Sequence, residues 1–88
     1  MNEVPMELFS DEGNNAVLRL PGRQYPGVLI QGDTLHGLVE RLSEAISALE
    51  RKEFAEAEEV IRHLEVEFRE VQSRYESAVR RGGVPLPY

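Results

Sequence analysis

The two histidines of this chain, His36 and His63, are the first residues to consider for metal binding or acid–base catalysis. Histidine titrates near neutral pH and is the commonest metal ligand in proteins. The two residues are far apart in the sequence and no local two-histidine motif exists, while the chain has no cysteine at all. The sequence therefore predicts no metal site and no metal cofactor.

Pairs of glutamates three residues apart would place two carboxylates on one face of a helix. A hydrolase needs such a pair in unequal surroundings, with one acid buried and the other solvated. Nothing in the sequence supplies that asymmetry, and the serines lack the G-x-S-x-G context of a nucleophile. We therefore expect a protein that is not an enzyme and has no catalytic residues or cofactor. The glutamate pairs are Glu53/Glu56, Glu56/Glu59 and Glu67/Glu70.

A different candidate is a polar recognition patch formed by Arg19, Arg23, Gln24 and Tyr25. Two guanidinium groups, an amide and an aromatic ring offer charge, hydrogen bonds and apolar area to a partner. Loops on a rigid scaffold often carry such residues. The alternative is that Tyr25 packs over the helices and the arginines pair with glutamates of the same chain. We predict these four residues as a partner-binding site.

Composition predicts one small domain over residues 1–88. A domain of this length buries only about 60 to 65% of the surface of its unfolded chain, so either its own core must suffice or a second copy must add to it. The longest apolar runs have three residues, whereas a membrane span needs roughly 20. The N-terminus has no basic region followed by an apolar stretch. We expect a cytoplasmic protein without membrane contact.

The charge of the chain is unevenly distributed. The formal net charge is −6, and residues 33–70 contain eleven acidic and five basic residues. Such a surface would repel nucleic acid. It fits a basic protein partner, although a solvated face that keeps a small protein in solution is the more common explanation. The sequence predicts a protein partner and no direct binding of nucleic acid.

Three short strands are predicted in the first third of the chain. Apolar and polar residues alternate over residues 4–9 and 16–20, with a turn-forming cluster between these strands. Pro26-Gly27 begins a third strand over residues 27–31, whose consecutive apolar residues suggest burial on both faces or a central position in the sheet. The three strands are predicted to form a three-stranded antiparallel β-meander.

Two helices are predicted after the strands, over residues 34–50 and 54–81, with Asp33 or Thr34 as the N-cap of the first. Gly82-Gly83 ends the second helix, and an extended tail follows over residues 82–88. The fold class is therefore α+β, with an antiparallel helical hairpin after the meander, in the order βββαα.

The second predicted helix is longer than the first, so about a third of its apolar stripe has no helical partner within the chain. Either the sheet or a second copy of the chain must cover this part. We favour a homodimer, with Phe68, Val71 and Tyr75 as its seam.

The strand-to-helix junction resembles the signature of the HicB-type antitoxin domain, in which a strand ending in Gln-Gly-Asp-Thr leads into a helix. The resemblance lies in residues 26–35 and in Glu44-Ala45-Ile46, and residues 83–87 are similar to the tail of that domain. It implies a small antiparallel sheet with a packed helix, and a protein that binds and masks a toxin-like partner. A long second helix here replaces the fourth strand, and no DNA-binding domain follows, so we expect no promoter binding.

The whole chain resembles more closely a family of small bacterial proteins of unknown function. This resemblance rests on Met6-Glu7-Leu8, Leu20-Pro21-Gly22-Arg23, Tyr25-Pro26-Gly27-Val28 and Pro85-Leu86-Pro87-Tyr88.

Three hypotheses of function follow from these patterns. The first, which we favour, is a non-enzymatic protein-binding module of the antitoxin or immunity kind. The second is a self-associating structural or adaptor protein that dimerises through its second helix. The third is a small-ligand-binding protein that uses Arg19, Arg23 and His36.

Overall fold

The computed structural model describes residues 5–10 and 15–88. Val4, at the start of the first predicted strand, and residues 11–14 of the predicted turn lie outside the described residues. The three strands form one antiparallel sheet in the order β1-β2-β3, and two helices follow. The predicted α+β fold of order βββαα is confirmed. The elements are β1 (Glu7–Ser10), β2 (Val17–Arg19), β3 (Gly27–Val28), α1 (Gly32–Glu50) and α2 (Phe54–Arg81).

The chain divides into two compact units, and α2 contributes to both. The sheet unit contains Met1–Ile30 and Val71–Tyr88. The helical unit contains Gln31–Glu70.

The core of the sheet unit forms where β2 meets the last turns of α2. Val17, Tyr75, Ala78 and Val79 are buried together. Four half-buried apolar residues pack around them. They are Phe9, Val28, Val84 and Leu86.

The third strand differs from its prediction. It is a two-residue edge strand rather than a five-residue central one, since β2 lies between β1 and β3. The backbone N–H of Leu29 still donates to the carbonyl of Ala16 (2.8 Å). The strand ends at Val28. Leu29 is 51% exposed, because side chains alternate along an extended chain and Val28 is the one that packs against the core. A run of apolar residues did not indicate a central position here.

Tyr75 is the polar anchor of this core. Its hydroxyl donates a hydrogen bond to the carbonyl oxygen of Pro26 at 2.8 Å, and Pro26 is itself buried. Burial raises the pKa of the Tyr75 phenol, because the charged form would lose its hydration. The last part of the apolar stripe of α2 is thus covered by this chain's own sheet.

A Schellman motif ends α2. The N–H of Gly83 donates to the carbonyl of Arg80 (3.0 Å), and the N–H of Val84 donates to that of Val79 (3.2 Å). Gly83 has φ +75°, the left-handed conformation that this motif needs and that glycine adopts without a steric penalty. The reversal returns the tail along α2, where the Tyr88 hydroxyl donates to Glu76 Oε2 (2.8 Å).

In the helical unit, α1 begins at Gly32, two residues before the predicted start. Its N-cap is Gln31, which makes no side-chain capping bond, so the predicted cap at Asp33 or Thr34 is wrong. Asp33 instead lies in the first turn, where its Oδ1 accepts from the Thr34 N–H (2.8 Å). A negative charge at this position complements the helix dipole.

The two helices of this unit pack through small residues. The short connection between them also closes as a Schellman motif, with the Glu53 N–H donating to the Ala48 carbonyl (2.8 Å) and Lys52 at φ 62°. Arg41 Nη1 donates to Glu67 Oε1 across the hairpin (2.8 Å). The buried apolar residues of the unit are Leu38, Ala45, Ala48, Ala57 and Leu64.

Candidate functional site

Arg19, one of the four predicted partner-binding residues, is held by contacts within the sheet unit. It stands opposite Glu7 in the sheet, and its Nη2 lies 2.7 Å from Glu7 Oε1. Its Nη1 donates to the carbonyl oxygen of Gln24 (3.1 Å), and its Cζ lies 5.5 Å from the ring centroid of Phe9. Arg19 therefore fixes the loop after β2 to the sheet. This is the alternative expected from the sequence, in which the arginines pair with glutamates of the same chain.

The other three predicted residues lie on that loop. A turn closes it, in which the Arg23 N–H donates to the Leu20 carbonyl (3.2 Å) and Gly22 has φ +78°. Gln24 Nε2 donates to the Tyr25 hydroxyl (3.3 Å).

Arg23 and Tyr25 line an open cleft of about 500 Å³, which we call the sheet cleft. The structure thus brings Arg23 and Tyr25 to one surface. Arg19 and Arg23 both line a second open cleft of about 460 Å³, and Gln24 supports the loop through its contacts with Arg19 and Tyr25. The other lining residues are Met6, Leu18, Leu20, Pro26, Gly27, Val28 and Leu29.

The glutamates and histidines considered for catalysis lie at the surface. A hydrogen bond from Arg51 lowers the pKa of Glu53, and a hydrogen bond with Glu53 raises the pKa of Glu56. Opposite shifts are a property of acid–base pairs, but both of these side chains are exposed, so neither acid has the buried surroundings that such a pair requires. His36 Nε2 lies 3.8 Å from Glu40 Oε1, and both side chains are exposed.

No group of three or more histidine, aspartate or glutamate side chains within residues 5–10 and 15–88 could hold a metal ion. Over the same described ranges, neither helix combines the length and the apolar character needed to cross a membrane.

An apolar surface on one side of the helical unit, which we call the hairpin face, was missed by the sequence reasoning. It consists of eight side chains that are between 45% and 61% exposed. Five belong to α1 and three to α2. They are Leu35, Val39, Leu42, Ile46, Leu49, Phe54, Ile61 and Phe68.

The stripes of the two helices lie on the same side of the hairpin. Leu49 of α1 and Phe54, Ala57 and Ile61 of α2 line one open groove of about 420 Å³. On α1, the exposed Leu42 and Leu49 are each four residues after the buried Leu38 and Ala45, so they continue the apolar surface beyond the buried contact.

Charged residues of α2 form a rim beside this face. Arg62 Nε donates to Glu58 Oε1 (2.8 Å), and Arg69 Nη2 donates to Glu65 Oε2 (3.2 Å). The charges of these four residues, which we call the α2 rim, therefore alternate in sign along the helix and sum to zero.

The predicted dimer seam is divided by the structure. Phe68 is 46% exposed and belongs to the hairpin face, whereas Tyr75 is only 7% exposed and belongs to the core of the sheet unit. Val71 is half-buried. The seam is corrected at Tyr75, because the chain's own sheet takes the place that the prediction gave to a second copy.

The sequence did contain a signal for the hairpin face. The apolar residues of α1 cover about half of the helix circumference, which is wider than the stripe that a single helical partner can bury. That excess width is the sequence signal for a second apolar surface on α1, beyond the one that packs against α2.

None of the curated proteins and none of the solved structures matches this chain. The profile of a protein family of unknown function, DUF6959, matches residues 1–88. The chain therefore belongs to this family of unknown function, DUF6959.

Proposed function

We propose that this protein is a non-enzymatic protein-binding module whose binding surface is the hairpin face. The observation that carries the proposal is the exposure of eight large apolar side chains on one side of a two-helix hairpin. Apolar area left in water is unfavourable by roughly 25 cal/mol per Å². A partner that covers this area gains that free energy on binding.

The size of the hairpin face supports the proposal. With about half of each side chain exposed, the eight residues present on the order of 800 Å² of mostly apolar surface. The largest apolar patch of a typical monomer is about 300 to 600 Å², and a standard interface takes about 800 Å² from each partner. The hairpin face has the area of an interface.

The negative charge of the helical unit favours a protein, rather than a nucleic acid, as the partner. The helical unit carries eleven acidic and five basic residues, a field that disfavours nucleic acid. An antitoxin- or immunity-like role, in which the module covers a surface of a partner protein, is one form of this function. The resemblance of residues 26–46 to a HicB-type domain supports that form.

The chemistry of the surface also fits binding better than catalysis. The carboxylates with shifted pKa values, Glu53, Glu56 and Glu67, are exposed and are bonded to arginines or to each other. Their partners are side chains of the same unit. These contacts stabilise the hairpin and its connection.

A thiol-protection experiment in living cells tests the proposal. The chain has no cysteine, so Ile46→Cys places a single thiol on the hairpin face. Val66→Cys is a matched control, because Val66 is 53% exposed and Ile46 is 55% exposed. Val66 is two residues from the buried Leu64 and so points away from the hairpin contact. Both variants are produced in the native host and labelled with a permeant maleimide.

We expect the thiol at position 46 to react at least about five-fold more slowly than the thiol at position 66, because a bound protein covers the hairpin face. In urea, both thiols should react at the same rate. Equal rates in cells would refute the proposal, since they would show that the hairpin face remains in contact with water.

A further inference from the structure

We propose that the occupant of the hairpin face is a second copy of this chain, and that two hairpins form a four-helix bundle. This inference rests on the proposed function, since it names the partner of the same surface. Three properties of the helical unit support it: the spacing of its exposed residues, the register of its two helices and the charges beside the face.

The spacing of the exposed residues is that of a bundle core. Leu35, Leu42 and Leu49 recur every seven residues on α1, and Phe54, Ile61 and Phe68 do so on α2. Residues with this repeat form the layers of coiled coils and four-helix bundles, where each side chain fits between side chains of a facing helix.

The register of the hairpin aligns the two repeats. Leu49 and Phe54 stand close to either side of the connection and line the same groove. Because the helices are antiparallel, each seven-residue step back along α1 is matched by a seven-residue step forward along α2. Leu42 is therefore level with Ile61, and Leu35 with Phe68. Two hairpins placed face to face would combine these pairs into three layers of four apolar side chains.

The charges allow two identical acidic chains to approach on this side. The rim row Glu58, Arg62, Glu65 and Arg69 is neutral. A row that alternates in sign becomes complementary to itself when a second copy runs in the opposite direction. The α2 rim thus fits a second copy of the chain.

The acid excess of the helical unit lies away from this rim. Without the four rim residues, the unit keeps nine acidic and three basic residues. Many of these acids point away from the hairpin face, because each is two residues from one of its members and so projects about 160° away. They are Glu44, Glu56, Glu59 and Glu70.

Sedimentation equilibrium of the full chain tests the inference, with far-UV circular dichroism as the check on folding. We expect a dimer in the micromolar range. Ile61→Glu and Leu42→Glu each place a carboxylate in the middle layer and should raise the dissociation constant at least about 100-fold. Both positions are 46% to 48% exposed in one chain, so the helical content of the monomer should be retained. Val66→Glu adds the same charge outside the hairpin face and should leave the dimer unchanged.

A chain that stays monomeric to about 100 μM would overturn this inference, as would Ile61→Glu and Leu42→Glu proteins that dimerise as tightly as Val66→Glu. The labelling experiment and the sedimentation experiment can refute the two proposals independently of each other. If position 46 is protected in cells but the purified chain is monomeric, the dimer proposal is refuted. The binding-module proposal then stands, with another protein on the hairpin face. Equal labelling in cells and a monomeric chain would overturn both.

Discussion

The sheet unit and the helical unit differ in the size of the side chains that they bury. In the sheet unit, Tyr75 and Val79 are buried under the chain's own strands. In the helical unit, three of the five buried residues are alanines, whereas its leucines and phenylalanines are mostly half exposed. The helical unit also holds the whole net charge of −6, since the sheet-unit residues carry five acids and five bases. We infer that the sheet unit is stabilised from within and that the helical unit gains stability from a second protein chain.

The largest expected effect comes from replacing one aromatic residue in each unit. Tyr75 and Phe68 are on the same helix, 7% and 46% exposed. Tyr75→Ala leaves a cavity in the core of the sheet unit and should lower the free energy of unfolding by about 3 to 5 kcal/mol. Phe68→Ala should cost about 1 to 2 kcal/mol at concentrations where the chain is monomeric. Urea denaturation followed by circular dichroism measures both, and equal losses would contradict the comparison.

Tyr75→Phe separates the two contributions of Tyr75. It keeps the ring and removes only the hydroxyl that donates to the Pro26 carbonyl, so it should cost about 1 to 2 kcal/mol. A loss as large as that of Tyr75→Ala would show that the hydrogen bond, and not the packed ring, holds this core together.

A smaller effect is expected at the ends of the helices, where each unit contains a Schellman motif. The residue in the left-handed conformation is Gly83 after α2 and Lys52 after α1. A side chain at such a position is unfavourable by roughly 1 kcal/mol relative to glycine. Gly83→Ala should therefore destabilise the protein by about 1 kcal/mol, and Lys52→Gly should stabilise it by a similar or smaller amount.

Thermal denaturation of Gly83→Ala and Lys52→Gly should give two shifts in Tm of opposite sign. Gly83→Ala leaves the charge of the chain unchanged, and Lys52→Ala serves as the control for the loss of charge in Lys52→Gly. Shifts of the same sign for Gly83→Ala and Lys52→Gly would show that backbone conformation does not set the stability of these helix ends.

The helices were predictable from the sequence because their signals are local. The range of α2 agrees with the prediction, since apolar residues at steps of three and four and a Gly-Gly stop do not depend on the rest of the fold. The short β3 was not predictable in the same way. Its length depends on how many residues of β2 remain to pair with it, which is a property of the assembled sheet.

The predicted functional residues show the same limit. Arg19 was proposed for a partner, but the register of β1 and β2 places Glu7 opposite it. Tyr75 was proposed for a dimer seam, but the sheet covers it. In both cases a contact between residues distant in sequence determines what the side chain binds. Residue type and local spacing do not contain that information.

The smallest expected effect concerns the ion pair that joins the two helices of the helical unit. The hydrogen bond from Arg41, with a smaller contribution from His63, holds the pKa of Glu67 below its ordinary value. A carboxyl whose pKa is lowered by folding stabilises the folded state above its unfolded pKa, and this contribution is lost as the pH falls through the lower folded value. Because both side chains are substantially exposed to solvent, Glu67→Gln should lower Tm at pH 7 by no more than about 4 °C.

The pH dependence of that difference distinguishes the ion pair from a general effect of charge. The difference in Tm between the wild-type chain and Glu67→Gln should be constant at neutral pH. It should shrink as the pH falls from the ordinary glutamate pKa of 4.5 through the lower pKa that Glu67 has in the folded protein. Glu59→Gln is the control on the same helix, because Glu59 makes no ion pair with any described residue. A Glu59→Gln profile identical to that of Glu67→Gln would show that the acid excess of the helical unit, and not the bond between Arg41 and Glu67, sets its response to acid.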